Sequence, residues 1–182
     1  LLSAHHILGR PGGLKKAIAW KDVPTAVTRV TAKTAGGKHT FHTTRSLAIE
    51  GAEALSPKDP STDLSAFTVE NGQGAMALEL AANNPTTGDF VWLLAEIDGY
   101  VGRDRSLHRA SVTASTDKEL RYIFADGQLK LRATSGAAVL DKDGKLVAVH
   151  LGGGSNLGLI FGVGNPVSSI RSRLDKALKE AP

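Results

Sequence analysis

The chain has no cysteine in its 182 residues. That excludes a disulfide framework and any thiolate metal site, and it leaves the compartment open. Aromatics are scarce, with two Trp, two Tyr and five Phe. Lys and Arg are scattered along the chain, so the basic-plus-aromatic clustering of a nucleic-acid surface is missing and no nucleic-acid partner is expected. The net charge of +4 and the pI near 9.4 read instead as a mildly basic solvated surface. No apolar run approaches the ~18 residues of a membrane-spanning helix, so no membrane segment is expected. Leu1 is not a methionine and no signal-peptide pattern follows it. The start is read as a processed end or a boundary.

What is present is mostly β pattern. A chain of this length buries about 70 % of its unfolded surface, enough for one sizeable domain or two small fused ones. Residues 16–20, 26–33, 39–49, 64–69 and 76–80 are β-branched or alternating, punctuated by Pro24, Gly36-Gly37 and Gly51. Residues 82–88 form a turn-rich break. Strand patterns resume at 90–97, 107–114, 120–125, 137–140, 146–151 and 157–163. Many short strands at even spacing predict an antiparallel sandwich or barrels. The end differs. Asn165 suits a helix cap and Pro166 its first turn, and Val167, Ile170, Leu174 and Leu178 recur at helical spacing. An amphipathic helix docked on the domain is expected there.

Three short segments carry possible chemistry. Leu2-Ser3-Ala4-His5-His6-Ile7-Leu8 presents a histidine pair. Ser61-Thr62-Asp63-Leu64 presents a carboxylate at a strand start, with Asp59 as its competitor. Thr134-Ser135-Gly136-Ala137 presents a serine at a tight turn. His, then Asp, then Ser is one chain order in which a base and an orienting carboxylate activate a serine hydroxyl. Each residue alone has a plainer role, as a core histidine, a turn cap or a turn serine. Other patterns lead nowhere. His39 and His42 would leave a strand on opposite faces, against a metal site. The glycines of 152–158 run into a strand rather than a helix, against a phosphate cradle. Ala133 and Ala137 replace the glycines of a G-x-S-x-G elbow.

Taken together, the three segments resemble the chymotrypsin-like serine proteases over nearly the whole chain. The resemblance implies an all-β fold of two six-stranded antiparallel Greek-key barrels plus a C-terminal helix, with the N-terminal strands of the first barrel lacking from this sequence. Residues 1–83 would form the first barrel, 84–88 the crossing, 89–164 the second barrel and 165–182 the helix. Counting from Leu2-Ser3 makes His6, not His5, the base. Asp63 would orient it and Ser135 would be the nucleophile, cleaving polypeptide through an acyl-enzyme without a cofactor or metal. The N–H groups of Ala133 and Ser135 would form the oxyanion hole, although the family usually has glycine where Ala133 stands. A Cβ there penalises left-handed backbone. Thr134 and Ala138 replace the family's usual aspartate and proline.

Val149-His150-Leu151-Gly152-Gly153-Gly154 is similar to a strand of glutamyl endopeptidases and of viral polyprotein-processing proteases. The resemblance implies a substrate site of Leu129, Leu131, His150, Leu151, Gly152 and Gly153, with His150 donating to a Glu or Gln side chain. Cleavage after Glu would then fall as pH rises past ~6.5, an unperturbed histidine value. An exported bacterial protein and a piece of a viral polyprotein both fit. Two functional classes stay open: an active serine endopeptidase, and a weak or inactive module of the same fold that binds peptide or serves structure.

Overall fold

Among the described residues, nine antiparallel strand pairings make two sheets. The structure, a computed structural model, describes residues 1–33, 39–69, 76–97, 100 and 106–180. In the first sheet β1 (Leu2–Ser3), β2 (Thr31–Lys33), β3 (Thr40–Leu47) and β4 (Ser65–Val69) lie in the order β1-β4-β3-β2. In the second, β5 (Phe90–Leu94), β6 (Leu107–Ser115), β7 (Leu120–Phe124), β8 (Ala138–Leu140), β9 (Leu146–Asn156) and β10 (Leu159–Pro166) close a barrel in the order β10-β7-β6-β5-β8-β9. One sheet open at four strands, one barrel closed at six and a C-terminal helix make a chymotrypsin-like double barrel.

Period-two alternation explains the closed barrel. Val91 and Leu93, Ala110 and Val112, and Leu120, Tyr122 and Phe124 point inward in turn and meet Val139 and Val147. Burying each large apolar side chain contributes ~1.5–3 kcal/mol. The first sheet has smaller cores, one around Leu47, Ile49 and Ala66 and another around Leu8, Val23 and Phe67. Its edges β1 and β2 flank a largely apolar groove of about 580 Å³. The groove is lined by Leu1, Leu2, Ala32, Phe41 and Val69 from the first sheet, and it also reaches Gly136, Ala138 and Val149.

The helix α2 (Val167–Glu180) joins the two halves. Its Ile170 packs with Leu64 and Val149, and its Ala177 enters the first sheet's core. Its stripe therefore runs Val167, Ile170, Leu174, Ala177, whereas the expected Leu178 is 57 % exposed. The expected cap also differs. Asn165 lies in β10, opposite Val149, and its side chain donates to Ser61 O. The first turn is instead held by Asn84, whose Oδ1 accepts from Ser168 N at 3.0 Å.

Several expected strands are corrected. Residues 16–20 form a loop ending in a short 3-10 turn at Trp20–Asp22, with Ile18 N tied to Leu8 O of the 3-10 turn His5–Leu8 rather than to a strand. Residues 23–26 form the single helical turn α1 (Val23–Ala26), which Pro24 favours, so only Thr31–Lys33 of the segment 26–33 is strand. Residues 76–80 make one parallel bridge, Leu80 to Leu146, and Met76 is 93 % exposed. The expected break at Gly36-Gly37 lies outside the described residues.

Candidate active site

His6 sits in a 3-10 turn (His5–Leu8) directly after β1, and Asp63 sits just before β4. Pairing of Leu2 with Ala66 and Ser3 with Ser65 brings the two together. Both side chains are buried, and His6 Nδ1 stands 2.7 Å from Asp63 Oδ2. The carboxylate accepts twice more, from His6 N at Oδ1 (2.8 Å) and from Leu55 N at Oδ2 (3.1 Å). A carboxylate is an acceptor only, so Nδ1 donates, and the neutral ring with that tautomer has its lone pair on Nε2. Leu55 holds φ 50 with its side chain 54 % exposed. Such left-handed backbone is costly for leucine, and here it accompanies the N–H that donates to Asp63.

His5 faces elsewhere. Its Nε2 donates to Ile18 O (3.0 Å) and its Nδ1 pairs with Ser65 Oγ (3.1 Å). Burial is the main cause of a pKa below the ordinary histidine value. Asp59 is also spoken for, since its Oδ1 accepts from Ser61 N and Ser61 Oγ.

Ser135 comes from the second barrel, in the turn before β8. Gly136 lies so close to β1 that a Cβ on it would collide with Ser3 Oγ, which puts the serine turn against the segment leading to His6. Gly136 N donates to His150 O (2.7 Å), and His150 N donates to Ala137 O (2.8 Å), pinning the turn to β9. The Ser135 hydroxyl donates to Leu151 O at 3.2 Å.

Ala133 has φ 62, and Thr134 N donates to Leu131 O at 3.4 Å. A left-handed third residue after an Arg132 that is not left-handed, with a bond from the fourth back to the first, makes a type II turn, a shape that favours glycine. The buried Thr134 tightens it, with its Oγ1 donating to Leu131 O at 2.8 Å. Among the described residues, the N–H groups of Ala133 and Ser135 donate to no protein acceptor.

His150 has no exposed surface. Its Nδ1 meets the Tyr122 hydroxyl at 2.5 Å, and its Nε2 is buried without a partner. Burial above all lowers its pKa to about 4, with a smaller contribution from His6. The expected activity change near pH 6.5 is thereby corrected, because the ring is neutral well below that pH. Leu129 is buried in the barrel core, and Leu131 packs against the same core and onto Gly153. A Cβ at Gly153 would collide with Phe161 O and with Leu131. Gly152 lies beside them in β9 at φ 154. Leu151 is the residue whose carbonyl receives the serine hydroxyl.

Two contributors escaped the sequence reading. Leu55 N carried no signal, because backbone donors have none. Tyr122 did carry one: it occupies an inward position of Leu120–Phe124, and a phenol in an apolar core needs a hydrogen-bond partner.

No protein-family model and no curated protein sequence matches the chain. Solved structures do. A Glu endopeptidase in complex with MPD aligns at a TM-score of 0.63 and 13% identity, covering 97% of this chain and 79% of that one. The serine endoprotease from Yersinia pestis aligns at 0.62 and 13%, covering 98% of this chain and 53% of the other. The HtrA-type protease AlgW with decapeptide aligns at 0.57 and 17%, covering 99% and 48%. The chain thus spans about half the length of the last two. These neighbours are serine proteases, and at such identities the likeness is one of fold.

Proposed function

We propose that the protein is a serine endopeptidase in which Ser135 is the nucleophile, His6 the acid-base group and Asp63 its orienting carboxylate. The observation that carries the reading is the buried His6–Asp63 pair at 2.7 Å beside the serine turn. In this reading residues 1–83 supply the acid-base pair and residues 89–164 the nucleophile, on either side of the crossing at 84–88. Residues 165–182 brace the two. Ser135 Oγ turns from Leu151 O and attacks the scissile carbonyl carbon while His6 Nε2 takes its proton. Ala133 N–H and Ser135 N–H receive the oxyanion. The imidazolium then gives its proton to the leaving amine, leaving an acyl ester on Ser135. Water attacks that ester with the same proton traffic, and the carboxylic acid leaves.

The pocket wall belongs to the same proposal. Leu129, Leu131, Leu151, Gly152 and Gly153 are the proposed frame of the substrate. His150 is enclosed in the unliganded protein, so its Nε2–H donates to a side-chain carbonyl oxygen of the cleaved residue only once this wall opens on binding. Because His150 is neutral, a glutamine amide fits better than a glutamate carboxylate, which would be buried with no cation beside it.

A second reading, a module of this fold without turnover, draws on two observations. The Ser135 hydroxyl is turned to Leu151 O, and Ala133 stands where the hole prefers glycine. A fluorophosphonate probe separates the two readings. The proposal expects labelling at Ser135, loss of labelling and of peptide hydrolysis in Ser135→Ala, and little change in stability. Hydrolysis unaltered in that variant would end the proposal, and absence of labelling in the parent would favour the inert module.

A further inference from the structure

The basic character of this chain is not evenly spread. Residues 1–49 hold eight Lys or Arg and one acid, Asp22, for a net +7, while the rest of the chain is at −3. Arg10, Lys15, Lys16, Lys21, Arg29 and Lys33 are all exposed. Among the described residues, none of these six has an acidic side chain at ion-pair distance, whereas Arg121, Lys142, Lys145 and Lys176 each do. Arg29 donates instead to His42 Nδ1 at 3.2 Å. The cations ride on segments that surround one small core, with Leu8, Val23 and Phe67 inside and Ile7, Ile18, Val27 and Val30 around them.

Part of this surface is fastened to the His6 turn. The loop after it closes at its base, where Ile18 N donates to Leu8 O at 2.9 Å. Gly9 N donates to the carbonyl of His6 itself at 3.1 Å. Gly12 presses on the Ile7 carbonyl so closely that any Cβ there would collide with it. Arg10, Lys15 and Lys16 are therefore held on a loop folded back onto the turn that bears His6. Charges are felt over ~8–10 Å at physiological salt, so these cations act on a peptide that runs past the loop.

We infer that this loop and the β2 edge form an anionic-peptide docking surface, which selects substrates carrying Asp or Glu runs beside the scissile bond. The inference rests on the peptidase reading above and adds to it a substrate class. Other polyanions fit less well. Trp20 and Phe41 are half-buried, so this segment offers no exposed stacking platform to bases. Leu14 is its exposed large apolar side chain between residues 9 and 33, too little to enter a bilayer. The unpaired charges raise the rate of encounter with an acidic chain, and salt weakens them.

The test uses Ser135→Ala, so that binding is read without turnover. Fluorescence anisotropy compares labelled peptides of identical core sequence with acidic or with neutral flanks. The acidic peptide should bind roughly tenfold or more tightly at low salt, and the advantage should vanish as salt approaches ~1 M. Lys15→Glu with Lys16→Glu should abolish or invert the preference while leaving neutral-peptide binding unchanged. With Ser135 intact, the same variants should leave hydrolysis of the neutral peptide unchanged and lower kcat/KM for the acidic one. Equal affinity for both peptides, a preference indifferent to salt, or one that survives the charge reversal would overturn the inference. So would displacement of the acidic peptide by a DNA oligonucleotide or by phosphatidylserine vesicles at lower concentration than by polyglutamate. If no peptide is hydrolysed and no probe labels Ser135, the peptidase reading fails while the binding measurement still decides the docking surface.

Discussion

The Tyr122 hydroxyl and His150 Nδ1 meet at 2.5 Å inside the second barrel, where neither residue has exposed surface. Burial raises the phenol's pKa, so Tyr122 stays protonated and donates. His150 must then carry its proton on Nε2, the atom without a partner. Tyr122→Phe removes that donor and leaves a buried acceptor, at an expected cost of ~1–3 kcal/mol. It should also erode any preference for Gln, because the tautomer is no longer fixed. The denaturant midpoint and a peptide panel measure the two effects.

The same pair sets a pH dependence. His150 is lowered to about 4 from its ordinary 6.5. Between those values the unfolded chain binds a proton that the folded one refuses. Its contribution is therefore fully present above pH 6.5 and is lost as pH falls toward 4, by about 3 kcal/mol. Unfolding titrations from pH 7 to 4 should show that loss, and His150→Gln should flatten it. The ratio of Gln to Glu cleavage should stay level from pH 6 to 8. A ratio that swings near pH 6.5 would mean that the ring titrates normally.

Asp63→Asn tests the orienting role. An amide can donate to His6 Nδ1, which moves the imidazole proton to Nε2 and removes the base. Activity should fall about 10⁴-fold. Stability should drop less than for Asp63→Ala, because the amide oxygen still accepts one of the N–H groups of His6 and Leu55. Equal activity in the Asp63→Asn variant and the parent would remove the carboxylate from the mechanism.

Asn84→Ala should loosen the helix that braces the two halves. It removes the acceptor of Ser168 N and the donor to Thr116 O, for about 1 kcal/mol. Activity per folded molecule should be unchanged, as judged by active-site titration beside thermal melts.

The contrast between Asn165 and Asn84 illustrates what a sequence carries. Asn165-Pro166 has the local chemistry of a helix start, yet Asn165 sits in a ladder with Val149 and the cap comes from Asn84, eighty-four positions before the Ser168 N–H it accepts. The barrel was readable because inward positions such as Val91, Leu93, Val112 and Leu120 follow the two-residue period of a strand. The segments 16–20 and 76–80 show the same period. The first ties Ile18 N to Leu8 O and the second makes a single bridge to Leu146, and the length of a ladder is not written in the pattern. His6 and Asp63 could be singled out as candidates because their residue types suit the chemistry, and the structure pairs them at 2.7 Å. The Leu55 N–H and the direction of the Ser135 hydroxyl are properties of backbone and rotamer, which no residue letter encodes. The even look of the Lys and Arg positions likewise hid a charge imbalance between the first 49 residues and the remainder.

Ala133→Gly addresses the proposed oxyanion hole. At φ 62 the alanine Cβ is strained, by about 1–2 kcal/mol. Glycine removes that strain but returns ~0.5–1 kcal/mol of conformational entropy to the unfolded chain, so the net stabilisation should lie between ~0 and ~1.5 kcal/mol. The catalytic consequence depends on how fully the turn is formed. A type II turn with φ 62 at Ala133 fixes one orientation of the Arg132–Ala133 peptide, and a type I turn reverses it, presenting the Arg132 carbonyl where the Ala133 N–H had been. Reversal withdraws one donor from the oxyanion, worth ~10²–10³ in kcat. If the type II form already dominates, as in this structure, glycine should raise kcat by no more than severalfold. A rise of a hundredfold would mean that alanine holds most molecules in the reversed form, with Ala133 as the residue that keeps the enzyme slow. Single-turnover acylation rates, compared between the parent and the Gly variant at matched folded concentration, distinguish these outcomes.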